Sequence, residues 1–132
     1  MIGLDSNVVV RYIAQDDKKQ SPLATRLIEQ DLTESRPGYL SLPALAEVIW
    51  VMVSCYNADR KAVIQMVEVL LAAPQLRVQM AEQVWQALSA YEAGSLDFSD
   101  AMIAAVDQAE GCQVTRTFDR TAARAPGFEL LG

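Results

Sequence analysis

Histidine is absent from this sequence of 132 residues, and several chemistries are excluded with it. No Ser-His-Asp triad, no Cys-His pair and no histidine-bearing zinc site can be built. Cysteine is scarce: Cys55 and Cys112 are the only two, too few for an all-cysteine zinc site. The chain opens Met1-Ile2-Gly3-Leu4-Asp5, without the basic and apolar regions of a secretory signal, so two reduced, buried thiols are expected rather than a disulfide. Long hydrophobic runs are missing as well. The longest apolar stretch, Ala44 to Tyr56, is interrupted by Glu47 and falls short of the ~20 residues needed to span a bilayer. No membrane association is expected, and the expected compartment is the cytoplasm. Positive charge is in deficit too. Eleven Lys and Arg stand against seventeen Asp and Glu, a net charge of −6, which argues against tight, nonspecific binding to duplex nucleic acid. An acidic total still permits a phosphate-binding site, because a bound cation inverts the local field. Carboxylates, hydroxyls, amines and the metals they gather remain for catalysis.

Hydrophobic residues make up 52% of the chain and charged residues 21%, a balance that favours a compact fold over disorder. The length suits one domain, expected over residues 1–132. Ile2 to Leu4 reads as a short buried strand ending at Asp5, and Asp5, Ser6 or Asn7 can cap a helix through Val8 to Ile13. Ser21-Pro22 reads as the cap and first residue of a second helix, with Leu23, Leu27, Ile28 and Leu32 on its apolar face. Tyr39 to Leu42 reads as a strand. Pro43 opens a helix carrying Leu45, Val48, Ile49, Met52 and Val53 at helical spacing, and Asp59 caps another through Leu71. Leu76 to Met80 alternates as a strand. Two further helices follow, Ala81 to Tyr91 and Phe98 to Glu110, the second stopped by Gly111. Cys112 to Thr115 reads as a strand, Thr117 to Arg124 as a loop with a helical turn, and Phe128 to Leu131 as a final strand. Strands alternating with helices predict an α/β domain in three layers: a central, mostly parallel sheet of about four to five strands flanked by helices. Ligands in such sheets bind outside the carboxyl ends of the strands.

Acids recur at those places. Asp5 follows the first strand. Glu47 lies in the most apolar helix, four residues after Pro43. Asp97 and Asp100 stand three apart at a helix start and can share a face. Asp119 follows a strand in Thr115-Arg116-Thr117-Phe118-Asp119-Arg120. Each has a plainer reading: Asp5 and Asp97 as helix caps, Glu47 as a solvent-facing or arginine-paired residue, Asp100 as a complement to the helix dipole, Asp119 as a partner of Arg116 or Arg120. Their recurrence at strand ends and helix starts favours convergence at one sheet edge. Carboxylates gathered there repel unless neutralised. With no histidine, and no lysine in these segments, a hard divalent cation with oxygen ligands fits best. Such a site suits phosphodiester hydrolysis, since the metal lowers the pKa of a bound water. Arg11, Arg116, Arg120 and Arg124 are candidates for phosphate contacts.

These segments resemble PIN domains, and among them the VapC-like toxins of bacterial and archaeal toxin–antitoxin pairs. Four stretches carry the resemblance in order: Ile2-Gly3-Leu4-Asp5-Ser6-Asn7; Leu45-Ala46-Glu47-Val48; Leu96-Asp97-Phe98-Ser99-Asp100-Ala101-Met102-Ile103-Ala104-Ala105; and Val114-Thr115-Arg116-Thr117-Phe118-Asp119-Arg120. The third and fourth together are the specific part. The resemblance implies a Mg²⁺- or Mn²⁺-dependent endoribonuclease with Asp5, Glu47, Asp100 and Asp119 as metal ligands or near ligands, and Asp97 as an accessory acid. Asn7, Thr117 and Ser6 are implied as groups that bond the acids or the scissile phosphate; Ser6 stands where the family usually has Thr and keeps the hydroxyl. Also implied are an RNA substrate, a cognate VapB-like antitoxin whose basic tail covers the acids, and a homodimer.

Two rival classes remain. A Mg²⁺-dependent phosphatase of the haloacid-dehalogenase type also places an Asp after its first strand, but needs a second Asp where Asn7 stands and a later lysine, and no lysine follows Lys61. A response-regulator receiver fails for the same missing lysine and for lack of an acidic pair. The other rival is a catalytically inactive PIN-type binding module; all four acidic positions are filled, so nothing in the residues favours it.

Overall fold

A computed structural model describes all residues from Met1 to Gly132. The chain divides into two compact units, Met1–Gln79 and Met80–Gly132.

In the first unit, Ile2–Gly3 (β1), Gly38–Leu40 (β2) and Leu76–Val78 (β3) form a parallel sheet in the order β1-β2-β3. Parallel neighbours need crossover connections, and helices supply them. Ser6–Ala14 (α1) and Gln20–Arg26 (α2) lie between β1 and β2; Leu42–Tyr56 (α3) and Arg60–Ala72 (α4) lie between β2 and β3. Short polar side chains set the helix starts by accepting orphan backbone N–H groups. Ser41 accepts from the Ala44 N–H at 3.3 Å, with Pro43 in the first turn of α3, and Asp59 accepts from the Ala62 N–H at 2.8 Å. The core is aliphatic: Val9, Ile28, Leu40, Leu45, Val48, Val63, Val67 and Leu70 are all but inaccessible, and each such side chain contributes about 1.5–3 kcal/mol by leaving water. Gly38 sits in a tight place, since a Cβ there would stand 2.7 Å from the Leu32 Cδ1 and that side chain would have to shift.

Three expectations are corrected in this unit. Ser21 does not cap α2: its hydroxyl is buried and donates to the Arg11 carbonyl at 2.8 Å. Asp17 does that work, accepting from the N–H groups of Lys19 at 3.0 Å and Gln20 at 2.7 Å, which hold its carboxyl below the usual range. The helix therefore starts before Ser21, and its last turn widens into a π-type turn at Leu27–Asp31. Leu23 and Val53, expected on apolar inner faces, are exposed, because the buried stripes run through Ala24 and Ile28 and through Leu45, Val48, Ile49 and Met52. Cys55 lies in the last turn of α3, beyond that stripe. It is free, as expected, but exposed rather than buried.

The second unit pairs Ala81–Ala93 (α5) with Phe98–Ala109 (α6), followed by Thr115–Thr117 (β4), a 3₁₀ turn at Ala122–Arg124, and Phe128–Leu130 (β5). β4 and β5 are parallel, Thr115 opposite Phe128. The helices close on Val84, Ala87, Leu88, Ala101 and Ala105, and Tyr91 meets Phe98 edge to face at 5.6 Å, the geometry aromatic quadrupoles prefer. The strand expected at Cys112 to Thr115 begins only at Thr115. The α6 cap continues instead through Gly111, at φ +99°, to Cys112, whose N–H bonds the Asp107 carbonyl; Cys112 is exposed, contrary to expectation. Every strand pairing is parallel. The strands fall into sheets of three and two where a single sheet was expected, because the two pairing networks belong to separate units. No helix is long and apolar enough to cross a membrane.

Candidate metal and active site

Each acid is held by the chain immediately around it. Asp5 caps α1 in extended backbone (φ −75°, ψ 153°). Its Oδ1 accepts from the Ser6 N–H at 2.7 Å and from the Ser6 hydroxyl at 3.3 Å, with Ser6 itself buried. Asn7 is exposed on the first turn of α1. Glu47 faces solvent from α3 and makes no ion pair. Of its two plainer readings, arginine pairing is removed.

The second unit gathers three acids. Asp97 occupies the cap position of α6 (φ −65°, ψ 152°) but makes no side-chain cap bond, so the position is as expected and the carboxylate is left unengaged. Asp100 stands one turn on. Burial raises its carboxyl above the ordinary carboxylate value, and the negative charges of Asp97 and Asp119 raise it further. Asp119 follows β4. Its Oδ1 accepts from the N–H of Thr121 at 2.8 Å and of Ala122 at 3.3 Å, and its own N–H donates to the Thr117 hydroxyl at 3.0 Å. Thr117, read from sequence as the start of a loop, closes β4 and positions the acid after it. Neither Arg116 nor Arg120 pairs with Asp119: the Arg116 guanidinium is 3.1 Å from Glu129, and Arg120 has no ion pair.

Asp97, Asp100 and Asp119 therefore share one electrostatic neighbourhood, in which burial raises the Asp100 carboxyl and the charges of the other two add to it. They do not form a closed set of direct ligands, for no three acidic or thiol side chains stand close enough to chelate an ion. The donor set is all oxygen and negative, which fits a hard cation that keeps several of its waters; it does not fit zinc, which takes nitrogen and sulfur.

Among the arginines considered for phosphate contact, Arg11 is tied down, donating to Gln20 at 2.7 Å and to Asp16 at 3.4 Å. Asp16 also accepts from the Tyr56 hydroxyl, a bond that raises the phenol's pKa. Arg124 makes no ion pair and lines a cavity of about 680 Å³ between α5, α6 and the segment before β5. Sequence reading missed this cavity; the only signal was the run of small residues along α6.

The family model of the PIN domain matches residues 2–127. This chain belongs to the PIN-domain family. The match spans both units of the PIN domain and all of its candidate acids. A solved structure similar to this PIN domain is that of Mycobacterium tuberculosis VapC20, described as a Sarcin-Ricin loop cleaving toxin. It is 19% identical over the whole of both chains, with a TM-score of 0.46, a likeness too distant to bear on activity. No curated protein matches this chain.

Proposed function

We propose that this PIN domain is a VapC-like toxin: a Mg²⁺- or Mn²⁺-dependent endoribonuclease that hydrolyses phosphodiester bonds in RNA. One observation carries the reading: within a chain of this family, Asp97, Asp100 and Asp119 are placed so that their charges oppose one another, and no arginine relieves them. Asp100 and Asp119 would hold the cation, Asp97 would support them, and Asp5 and Glu47 are the further acids this reading assigns to it. When bound, the ion supplies a Lewis acid and lowers the pKa of a water.

The chain's own residues then have separable tasks. The Ser6 backbone N–H and hydroxyl fix the orientation of the Asp5 carboxylate. The Thr117 hydroxyl and the Thr121 and Ala122 N–H groups fix that of Asp119, leaving its Oδ2 free. Asn7, exposed on the first turn of α1, would donate to a phosphate oxygen. A cognate VapB-like antitoxin would inhibit by placing a basic segment over the acids, where charge complementarity favours it. Its partners would include a second copy of the chain in a cytoplasmic homodimer.

The test is direct. Labelled single-stranded RNA incubated with the pure protein and Mn²⁺ should be cut internally. EDTA should stop the cutting, and Asp100→Asn should abolish it without loss of folding. No cleavage under any metal would contradict the reading. If a basic peptide still bound, the inactive binding module would stand in its place.

A further inference from the structure

One aromatic ring stands in water at the candidate site. Phe118 is 79% exposed, more than any other large hydrophobic side chain of the protein, and the next residue is Asp119. The other two phenylalanines are covered: Phe98 is buried against Tyr91, and Phe128 is half-buried in β5. Single apolar side chains on a surface are ordinary. Phe118 differs in where it stands, how it is held and what charges surround it.

The backbone on both sides of Phe118 is fixed. The Thr117 carbonyl accepts from the Leu131 N–H at 2.8 Å, and the Thr117 hydroxyl accepts from the Asp119 N–H at 3.0 Å. Beyond it, the Asp119 carboxylate accepts from the N–H groups of Thr121 and Ala122. The ring is thus carried between a strand end and an anchored acid. The local charge is the reverse of the chain's. From Arg116 to Arg124 three arginines stand against one acid, in a chain of net charge −6. Arg116 is paired with Glu129, but Arg120 and Arg124 are exposed and make no ion pair. Those arginines disfavour the basic peptide that the acids attract and favour an anionic chain. Exposed rings set among cations are how proteins hold single-stranded nucleic acid without reading its sequence: bases stack on the ring and phosphates are drawn to the charges.

We propose that Phe118 is a stacking platform for one unpaired base of the RNA and so places the strand's backbone beside Asp119. Every base has a π-face, so the platform positions the strand and selects no particular base. Phe118 binds substrate without sharing in the chemistry, and its loss should raise KM and leave kcat unchanged. The proposal rests on the ribonuclease reading for the identity of the polymer, while its binding test does not depend on cleavage.

The ¹⁵N-labelled full chain in Ca²⁺, a hard cation that takes oxygen ligands, is titrated with short fluorescein-labelled single-stranded RNAs, one intact and the others carrying a single abasic nucleotide at successive positions. Anisotropy gives the affinity, NMR follows the Phe118 amide, and cleavage of the intact RNA is measured in Mn²⁺. The intact RNA should shift the Phe118 amide. Phe118→Leu, apolar but without a π-face, should weaken binding about tenfold and raise KM by the same factor, the scale of one lost base–aromatic stack; Phe118→Trp should bind at least as well as the wild type. At one position the abasic RNA should lose the same factor with the wild type and nothing further with Phe118→Leu, the non-additivity of two groups in contact. These exposed substitutions leave packing intact, which equal melting temperatures check. The proposal is overturned if the wild type binds no RNA, if Phe118→Leu binds as the wild type does, if the losses are additive at every position, or if kcat falls with KM unchanged. It is overturned in favour of a protein contact if Phe118→Leu keeps RNA and loses a basic peptide. Coupled binding losses with no cleavage in Mn²⁺ would sink the nuclease reading and leave the platform standing; cleavage unaltered by Phe118→Leu would do the reverse.

Discussion

Helices α1 and α6 both begin at an aspartate in extended backbone, and the two aspartates lead different lives. Asp5 is satisfied: it accepts the Ser6 N–H and hydroxyl and closes its helix start. Asp97 occupies the same position relative to α6 yet makes no cap bond, and it adds repulsion to Asp100 one turn on. A cap of this kind contributes about 1 kcal/mol, so α6 forgoes stability that α1 retains. One acid serves the fold as well as any site. The other adds only repulsion at Asp100, a cost in stability that fits charge held for a cation.

The largest effect that tests this contrast is at Asp100. Asp100→Asn should lower metal-dependent cleavage at least about a hundredfold, more than the loss of a supporting partner in a metal site, while raising the melting temperature in EDTA. Full cleavage by this variant would remove Asp100 from the site. Asp97→Ala should cost about tenfold in cleavage, on the same reasoning for a supporting acid, with no loss of thermal stability; a clear drop in melting temperature would show that Asp97 caps α6 after all. Asp5→Ala should behave oppositely in stability, losing about 1 kcal/mol, or about 4 °C, whereas Asp5→Asn keeps the cap and should lose cleavage alone. Equal melting temperatures for both Asp5 variants would erase the distinction between the two helix starts.

The comparison also has a pH signature. Folding raises the Asp100 carboxyl above its ordinary value of 3.8, so the folded state holds that proton to higher pH than the unfolded chain. Stability from this group is present below the ordinary value and is lost as pH rises through the folded one. The advantage of Asp100→Asn in EDTA should therefore be absent in acid, grow through that window and then level off. An advantage independent of pH would assign the shift to something other than charge. Thr117→Val should have the smallest effect: it removes the acceptor of an exposed N–H, costs about 0.5–1.5 kcal/mol at most, and loosens Asp119 without removing its charge.

What could be read from the residues follows the same division. Caps and helix starts were legible at Asp5, Asp59 and Pro43 because each acts on backbone within three residues. The α2 start was misread because Ser21 spends its hydroxyl on Arg11, ten residues away, a choice no local pattern records. β4 was placed early because Gly111 looks like a clean stop, while the chain continues its turn to Cys112. The acids were legible as residue types at strand ends and helix starts. Whether each carboxylate is engaged, as at Asp5, or left free, as at Asp97, depends on hydrogen-bond geometry that spacing does not encode. The cavity beside α6 was invisible for a related reason: alanines at helical spacing describe a packed face, and Ala101 and Ala105 are packed.

The central claim, that these acids serve one divalent ion, is tested most directly by adding substoichiometric Mn²⁺ to the labelled protein and observing which amide signals the paramagnetic ion broadens. Signals from Asp5, Glu47, Asp97, Asp100 and Asp119 should fade together at the same metal concentration, and Asp100→Asn should protect all of them. Broadening confined to other acidic surface residues, or unchanged in Asp100→Asn, would contradict it.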